Sequence, residues 1–354
     1  MKAAVYHGRR DVRIEERPDP SGPGRREVVL EVLMAGICGT DAGEFAHGPL
    51  LIPLDVRNPA SGHRGPVILG HEFVGRIAAV GPEVEGLAVG QRVVPGAAWW
   101  CRQCRWCAEG RSNLCAQYFV FGLHADGGLA ELAKVPARMC QVVPTRCSDE
   151  SAAMAQPLAI ALHALRSSGV RRGQVLALLG VGGIGSLILV AAQAQGISPI
   201  LALDVDEQRL ERAARLGASF LVNTRSENPE HVMRRLTGGV GADVVIEASG
   251  APRAPEQALT LVRRGGRVLL VGLQEAPCAL DLRAMVLGEI ELRCSNGHVC
   301  DIDLPAALTL LATTDLTRNV VDQVIELDAL VQDGLLPLAE HRMHGKVLVT
   351  LKRA

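Results

Sequence analysis

Four cysteines within fifteen residues are the densest chemistry in this chain. The stretch CRQCRWCAEGRSNLC sets Cys101, Cys104, Cys107 and Cys115 in the pattern C-x2-C-x2-C-x7-C. Four thiolates this close in sequence can surround one Zn²⁺ tetrahedrally at roughly 2.3 Å, which fills the coordination sphere and leaves substrate no open position. Such a site holds structure. An iron–sulfur cluster would use similar ligands, but no further cysteine-rich run points to redox clusters, and Arg102, Arg105 and Arg111 offset thiolate charge. Structural zinc is therefore expected in a lobe spanning residues 97 to 118. The remaining cysteines, Cys140, Cys147, Cys278, Cys294 and Cys300, are scattered and read as small, partly buried hydrophobes.

A glycine-rich turn carries the second chemistry. In VLALLGVGGIGSLILVAAQAQG a strand runs into Gly180, Gly182 and Gly185, spaced G-x-G-x-x-G, with Gly183 and Ile184 between them, and then into a helix. The first glycine permits a tight turn, the second lets backbone approach a pyrophosphate, and the third lets helix and strand pack closely. The helix N-terminus, with its free N–H groups, then takes the phosphates. The glycines alone also fit a plain strand–loop–helix turn. A second strand, PILALD, ends in Asp204, 19 residues past Gly185, where a carboxylate accepts both ribose hydroxyls of adenosine and repels a 2′-phosphate. These residues predict NAD. Arg209 reads either as a contact to that ribose or as a solvent-facing charge in DVDEQRLERAARLGA. Val271 and Leu273, at the end of the strand GRVLLVG and just past it, complete the candidate cofactor contacts.

Cys38 in GICGTD and the pair His71–Glu72 in LGHEF are a soft thiolate, an imidazole and a carboxylate, the ligand types of an open zinc site. Taken singly, each reads as readily as packing.

The elements that must position these groups fall into two textures. The first 150 residues are rich in Gly and Pro, with short β-branched runs such as EVVLEVL, VGRIAAV and QRVVPG between turn residues, which predicts an irregular, mostly β domain. From about Ser151, Ala/Leu helices alternate with the apolar strands VLALLG, PILALD, ADVVIEASG and GRVLLVG, the pattern of a parallel, doubly wound βαβ sheet. Strand texture resumes in DQVIELD and GKVLVTLKR, so the tail is expected to rejoin the first domain. With 354 residues, 48% of them hydrophobic, the chain has material for about two domains. Thirty-seven basic residues against 38 acidic ones leave a net charge of −1, so no global field recruits nucleic acid or an anionic membrane, and a small neutral partner is expected. The mixed charge around the cysteine lobe, with no recognition helix after it, also argues against DNA binding. No run of 18 uncharged apolar residues occurs and the start lacks a signal-peptide layout, so a cytoplasmic protein is expected.

Taken together, GICGTD, LGHEFVGRI, the cysteine lobe, AAMAQPLAIALHALR, GVGGIG and the closing GKVLVT resemble the zinc-dependent medium-chain dehydrogenases over nearly the whole length. GPLLIPLDVRNPASGHRGPVILGHEF, FGLHADGGLAE and LDALVQDG are similar to the 2,3-butanediol and sorbitol dehydrogenase-like branch. The resemblance implies a GroES-like catalytic domain, residues 1–155 and 295–354, interrupted by a Rossmann domain, residues 156–294, with the active site in the cleft and assembly as a homodimer or homotetramer. It implies that Cys38 and His71 ligate a catalytic zinc, that Glu72 ligates it or stands just behind, and that Asp41 orients His71. Zinc then polarises the oxygen of a secondary alcohol, hydride passes to the nicotinamide, and Thr40 takes the proton. Thr40 reads equally as the cap of a helix starting at the GTD turn.

Two departures fall at this chemistry. The family's carboxylate in AAMAEPLAI-like phrases is here Gln156, an uncharged metal-ligand candidate. Where the butanediol branch carries a proton-relaying histidine in a DLHEY-like phrase, this chain reads DAGEF, with Gly43. His47, four residues on, would return to the same face if the segment is helical; otherwise it is a solvated loop histidine. The chemistry is expected to be retained with a substrate other than simple butanediol. Ser295, Asn296, His298 and Leu123 are candidate pocket residues. Two rivals stand beside this reading: a zinc-free reductase on the same fold, which should lack the ligand set, and an NAD-binding protein that has lost turnover.

Overall fold

The computed structural model describes every residue except Glu275, Lys352, Arg353 and Ala354, and all side chains of the remainder but that of Thr317. The chain divides into two compact units, Met1–Ala159 with Val299–Ala354, and Ile160–His298. Among the described residues no helix is long and apolar enough to cross a membrane.

The first unit is mostly β. Its larger sheet runs Cys140–Val142, Arg92–Pro95, Glu72–Val80, Glu27–Gly36, Lys346–Thr350, Val321–Glu326, with Leu132–Pro136 also paired to Glu27–Gly36. The last long strand therefore lies beside one of the first, antiparallel, with Leu348 opposite Gly36. Apolar side chains from these strands and the segments beside them meet in one core built around Tyr6, Leu30, Ile37, Phe73, Ile77 and Leu129. A three-stranded sheet, Asp11–Glu16, Lys2–Gly8 and Val67–Ile68, completes the unit, and a small ribbon, Ala98–Trp99 with Phe119–Val120, carries the cysteine lobe.

The second unit holds a six-stranded, wholly parallel sheet in the order Phe220–Asn223, Ile200–Asp204, Leu176–Leu179, Ala242–Glu247, Val262–Leu270, Glu291–Cys294. The central strands LALL and ILALD are buried at every position, as a sheet covered on both faces requires. This is the doubly wound order in which the strands reverse direction of progress at the first strand, where the glycine-rich turn leaves the sheet. The α/β-plus-β architecture expected from the two textures is present, with its mostly β part discontinuous in sequence.

Candidate active site and metal centres

Backbone turns set up the cysteine lobe. Cys104 caps the short helix Arg105–Ala108, and N–H groups of Cys104 and Gln103 donate to Cys101 Sγ at 3.3 and 3.4 Å, while those of Cys101 and Gln117 donate to Cys115 Sγ at 3.2 and 3.3 Å. Sulfur–sulfur separations are 4.0 Å for Cys101–Cys107, 3.6 Å for Cys104–Cys107 and 3.9 Å for Cys104–Cys115. A tetrahedron with metal–sulfur bonds of roughly 2.3 Å has edges of about 3.8 Å, so the four residues fit zinc as they stand. Backbone N–H groups, that of Ala116 foremost, draw the Cys104 thiol down to about 6, which favours the thiolate a metal needs. The Trp99–Trp100 pair packs the lobe's base: the Arg138 guanidinium lies 4.0 Å from the Trp99 ring and 4.7 Å from that of Trp100, and Phe119 stacks on Trp99. Of the remaining cysteines, Cys140, Cys147 and Cys300 are buried, whereas Cys278 and Cys294 are exposed.

A second ligand group forms where a helix start meets a strand start. Cys38 is the N-cap of the helix Gly39–His47, and Glu72 opens the strand Glu72–Val80 directly opposite Gly36. Strand pairing therefore brings together two sequence-distant ligands, and one metal-binding atom from each of Cys38, His71 and Glu72 lies within 4.8 Å of the others. His71 is aimed by a knot of glycines. Gly70 has φ +95°, and a Cβ there would sit 2.7 Å from the backbone N of Leu129; Gly122 and Gly127 pack against the Gly70 backbone with the same lack of room. Asp41 Oδ2 accepts from Cys38 N at 2.9 Å, and its other oxygen lies 3.6 Å from His71 Nδ1. Thr40 Oγ1 is 3.7 Å from Cys38 Sγ, so the hydroxyl stands beside the ligand group as well as in the first helical turn.

The electrostatics of this group call for positive charge. Burial works against a charged imidazole, yet Asp41, Cys38 and Glu72 carry the His71 pKa up to about 10. Glu72 Oε1 is buried without a hydrogen-bond partner, a costly state that a bound cation relieves, and Asp41 Oδ1 and Gln156 Oε1 are buried and unpartnered as well. A thiolate, an imidazole and a carboxylate with an orphaned oxygen, all converging, fit zinc with an open position. Gln156 lies buried in the first turn of the helix Ala155–Ser168. Lys346, which the sequence reading missed, donates from Nζ to Glu72 Oε2 at 2.5 Å and to Ile37 O at 2.8 Å while almost fully buried. His47 ends the helix that Cys38 caps, nine residues or about 13 Å along its axis, and is exposed. The structure gathers Cys38, Thr40, His71 and Glu72, and leaves His47 apart from them.

In the parallel sheet, Gly180 takes φ +84° against Ser249, Gly182 caps the helix Gly183–Ala194, and a Cβ on Gly185 would collide with the Gly180 carbonyl. Ile184 lies in the first turn of that helix. Asp204 Oδ2 accepts from Val181 N at 2.9 Å, its Oδ1 accepts from Val205 N at 2.8 Å, and Arg209 stands 3.9 Å away. Val271 N donates to Glu247 O, and Leu273 beyond it is largely exposed. Glu247 is another residue the motifs did not single out: fully buried, it pins the turn against which Gly180 packs by accepting from Ser249 N, Ser249 Oγ and Gly250 N. Of the pocket candidates, Ser295, Asn296 and His298 belong to the second unit and Leu123 is packed in the core of the first.

Residues 24–145 match the family model of the alcohol dehydrogenase GroES-like domain, and residues 183–313 that of the zinc-binding dehydrogenases. The chain is 32% identical over 352 residues to the (R,R)-butanediol dehydrogenase of Bacillus subtilis (strain 168), covering 99% of each, and 35% identical over 274 residues to a sorbitol dehydrogenase of the same organism, covering 77% of this chain and 75% of the relative. Among solved structures it is similar to that of 2R,3R-butanediol dehydrogenase from Bacillus subtilis, with a TM-score of 0.91 at 31% identity and 99% coverage of both chains. The alcohol dehydrogenase from Thermus sp. ATN1 follows with a TM-score of 0.89 at 32% identity, covering 99% of this chain and all of that one. The chain belongs to the zinc-type medium-chain alcohol dehydrogenase family and is an oxidoreductase of that class. Membership brings with it zinc and a nicotinamide dinucleotide.

Proposed function

We propose that this enzyme transfers hydride between a secondary alcohol, or the corresponding ketone, and NAD, at a zinc held by Cys38, His71 and Glu72, with a second, structural zinc held by Cys101, Cys104, Cys107 and Cys115. The observation that carries the reading is the convergence of thiolate, imidazole and carboxylate within 4.8 Å of one another, with the Glu72 Oε1 left unpaired. Zinc in that position supplies Lewis-acid polarisation of a substrate oxygen. Asp41 fixes the His71 ring, Lys346 fixes one oxygen of Glu72, and the Thr40 hydroxyl, 3.7 Å from Cys38 Sγ, is placed to take the alcohol proton. Asp204 supports NAD over NADP, because a carboxylate at that strand end repels a 2′-phosphate; Arg209 tempers the effect without removing it.

Substrate identity as a secondary alcohol is supported by relatives named for butanediol, sorbitol and xylulose. Assembly with further copies is supported by the outer strand of the parallel sheet, Glu291–Cys294, which among the described residues pairs on one side only, close in sequence to the exposed Leu282, Val286 and Leu287. Metal analysis joined to turnover decides the reading. Two zincs per chain, falling to one in Cys38→Ala together with loss of NAD-dependent alcohol oxidation, are expected; a single zinc unaffected by that substitution overturns it.

A further inference from the structure

A doubly wound sheet takes a dinucleotide outside the carboxyl ends of its strands, at the point where their order reverses. Here that point lies between Leu176–Leu179 and Ala242–Glu247. The glycine turn leaves the first of these strands and Asp204 closes the strand beside it, which assigns pyrophosphate and adenosine ribose to that side. The nicotinamide half then falls to the other side, walled by the ends of Ala242–Glu247, Val262–Leu270 and Glu291–Cys294.

Glu247 stands at the floor of this crevice. It is in register with Leu179, the residue before Gly180, on one side and with Leu270 on the other. Its backbone ties the strand ends together: Ala248 N donates to Leu179 O at 2.8 Å, and Val271 N and Gly272 N donate to Glu247 O at 2.8 and 3.1 Å. The carboxylate is fully buried. Its Oε1 accepts from Ser249 N at 2.7 Å, Ser249 Oγ at 2.6 Å and Gly250 N at 2.9 Å. Its Oε2 is buried with no hydrogen-bond partner, and among the described residues no lysine, arginine or histidine pairs with the carboxylate. A Cβ on Gly272 would lie 2.6 Å from Oε2 and would strike Gly250 N, so bare backbone covers this oxygen.

Fastening a turn takes one acceptor oxygen, which an amide or hydroxyl side chain also supplies. That task accounts for Oε1. It leaves the second oxygen and a whole negative charge without use, in a place where an unpaired charge is costly. Positive charge brought into the crevice offsets that cost. In a nicotinamide dinucleotide the phosphates are negative and the adenine and riboses neutral; only the oxidised nicotinamide ring is positive, and its charge disappears on reduction.

We propose that Glu247 is a fixed counter-charge for the oxidised nicotinamide ring, tightening the hold of the enzyme on NAD⁺ relative to NADH. The proposal rests on the NAD reading above and adds to it a residue that sets the balance between the two redox forms. Glu247 acts through its field from beneath the backbone, and not by contact with the ring; charges in a protein interior are weakly screened, so the field reaches past the strand ends. The same preference makes the bound cofactor harder to reduce and favours the direction in which hydride leaves it for the ketone.

The test is a pair of dissociation constants on zinc-loaded enzyme, for NADH by its fluorescence and for NAD⁺ by competition against NADH. Glu247→Gln and Glu247→Met remove the charge, the first keeping an acceptor for the turn, whereas Glu247→Asp keeps the charge; circular dichroism establishes that each variant is folded. Both neutral variants are expected to weaken NAD⁺ about tenfold more than they weaken NADH, while Glu247→Asp holds the parent ratio within about threefold even where both affinities fall. A merely structural role moves both affinities together. An unchanged ratio in a folded neutral variant therefore overturns the proposal, and so does a ratio in Glu247→Asp that moves as far as in Glu247→Gln. A parent chain that binds neither form overturns the NAD reading itself.

Discussion

Lys346 and Glu72 form a buried ion pair, 2.5 Å between Nζ and Oε2, that spans three neighbouring strands. Gly36 on the middle strand lies between the two outer ones, opposite Glu72, and a Cβ there would strike the same carboxylate oxygen. One oxygen of Glu72 is thereby fixed, and the other stays free of protein donors. Burial opposes the Lys346 charge, but Glu72 and Cys38 outweigh it and raise its pKa.

Removing the lysine should therefore cost far more than a surface pair would. Lys346→Met leaves the buried Glu72 without its partner, and unfolding stability is expected to fall by roughly 3–5 kcal/mol, measured by urea denaturation of zinc-loaded protein. Lys346→Arg should recover part of the loss. Equal stability of Lys346→Met and the parent chain would mean that the pair contributes nothing.

In the cysteine lobe, Cys104→Ser removes one of four ligands from a closed tetrahedron. Zinc by plasma mass spectrometry should drop from two to one per chain, and chelator challenge of the parent should release the lobe metal more slowly than the catalytic one, because no open position admits the chelator. Retention of both zincs in folded Cys104→Ser protein would rule out the four-cysteine site.

Most of the fold and half of the site were legible because the chemistry is local in sequence. The cysteine lobe and the glycine turn each lie within about twenty residues, and their spacing alone dictates geometry. Cys38 and His71 needed strand pairing to meet, and only family resemblance linked them beforehand. Lys346 was missed because its partner is 274 residues away. A signal was present: KVLV is an unalternating apolar strand, buried at each of these four positions, and a lysine opening such a strand must be buried with a partner. Glu44 and Glu247 were missed for a related reason. Both are buried carboxylates whose partners are backbone N–H groups of neighbouring turns, and a carboxylate that fastens backbone leaves no spacing motif. Helix formation through Gly43 and His47 matched the condition set for a shared face, yet the helix carries His47 to its exposed end.

The glycine knot behind His71 makes a separable prediction. Gly70→Ala places a Cβ in the left-handed region and within 2.7 Å of Leu129, at a backbone cost of about 1–2 kcal/mol before the collision is counted. The neighbour is backbone and cannot yield, so the displaced segment carries His71 with it. Zinc should fall to one per chain, while the lobe zinc and NADH affinity persist. Unchanged zinc content would show that His71 does not depend on this turn.

Asp204 has two tasks that a single substitution can separate. Its Oδ2 holds Val181 N in the glycine turn, and on the proposed reading its negative charge favours NAD over NADP. Asp204→Ala removes both, so a loss of activity with that variant would not distinguish turn from charge. Asp204→Asn keeps one acceptor oxygen for the turn amide and gives up the charge together with the second acceptor, which takes the Val205 and Asp206 N–H groups. The fold and the NAD-bound geometry should survive, whereas the repulsion against a 2′-phosphate disappears and Arg209, 3.9 Å from the former carboxylate, becomes available to it. Charge-assisted hydrogen bonds to the ribose are worth roughly 1.5–3 kcal/mol, so the NAD-over-NADP ratio of kcat/KM should fall by about tenfold to a hundredfold in Asp204→Asn. A parent enzyme that prefers NADP, or an asparagine variant with undiminished NAD preference, would show that selection lies elsewhere than at this strand end.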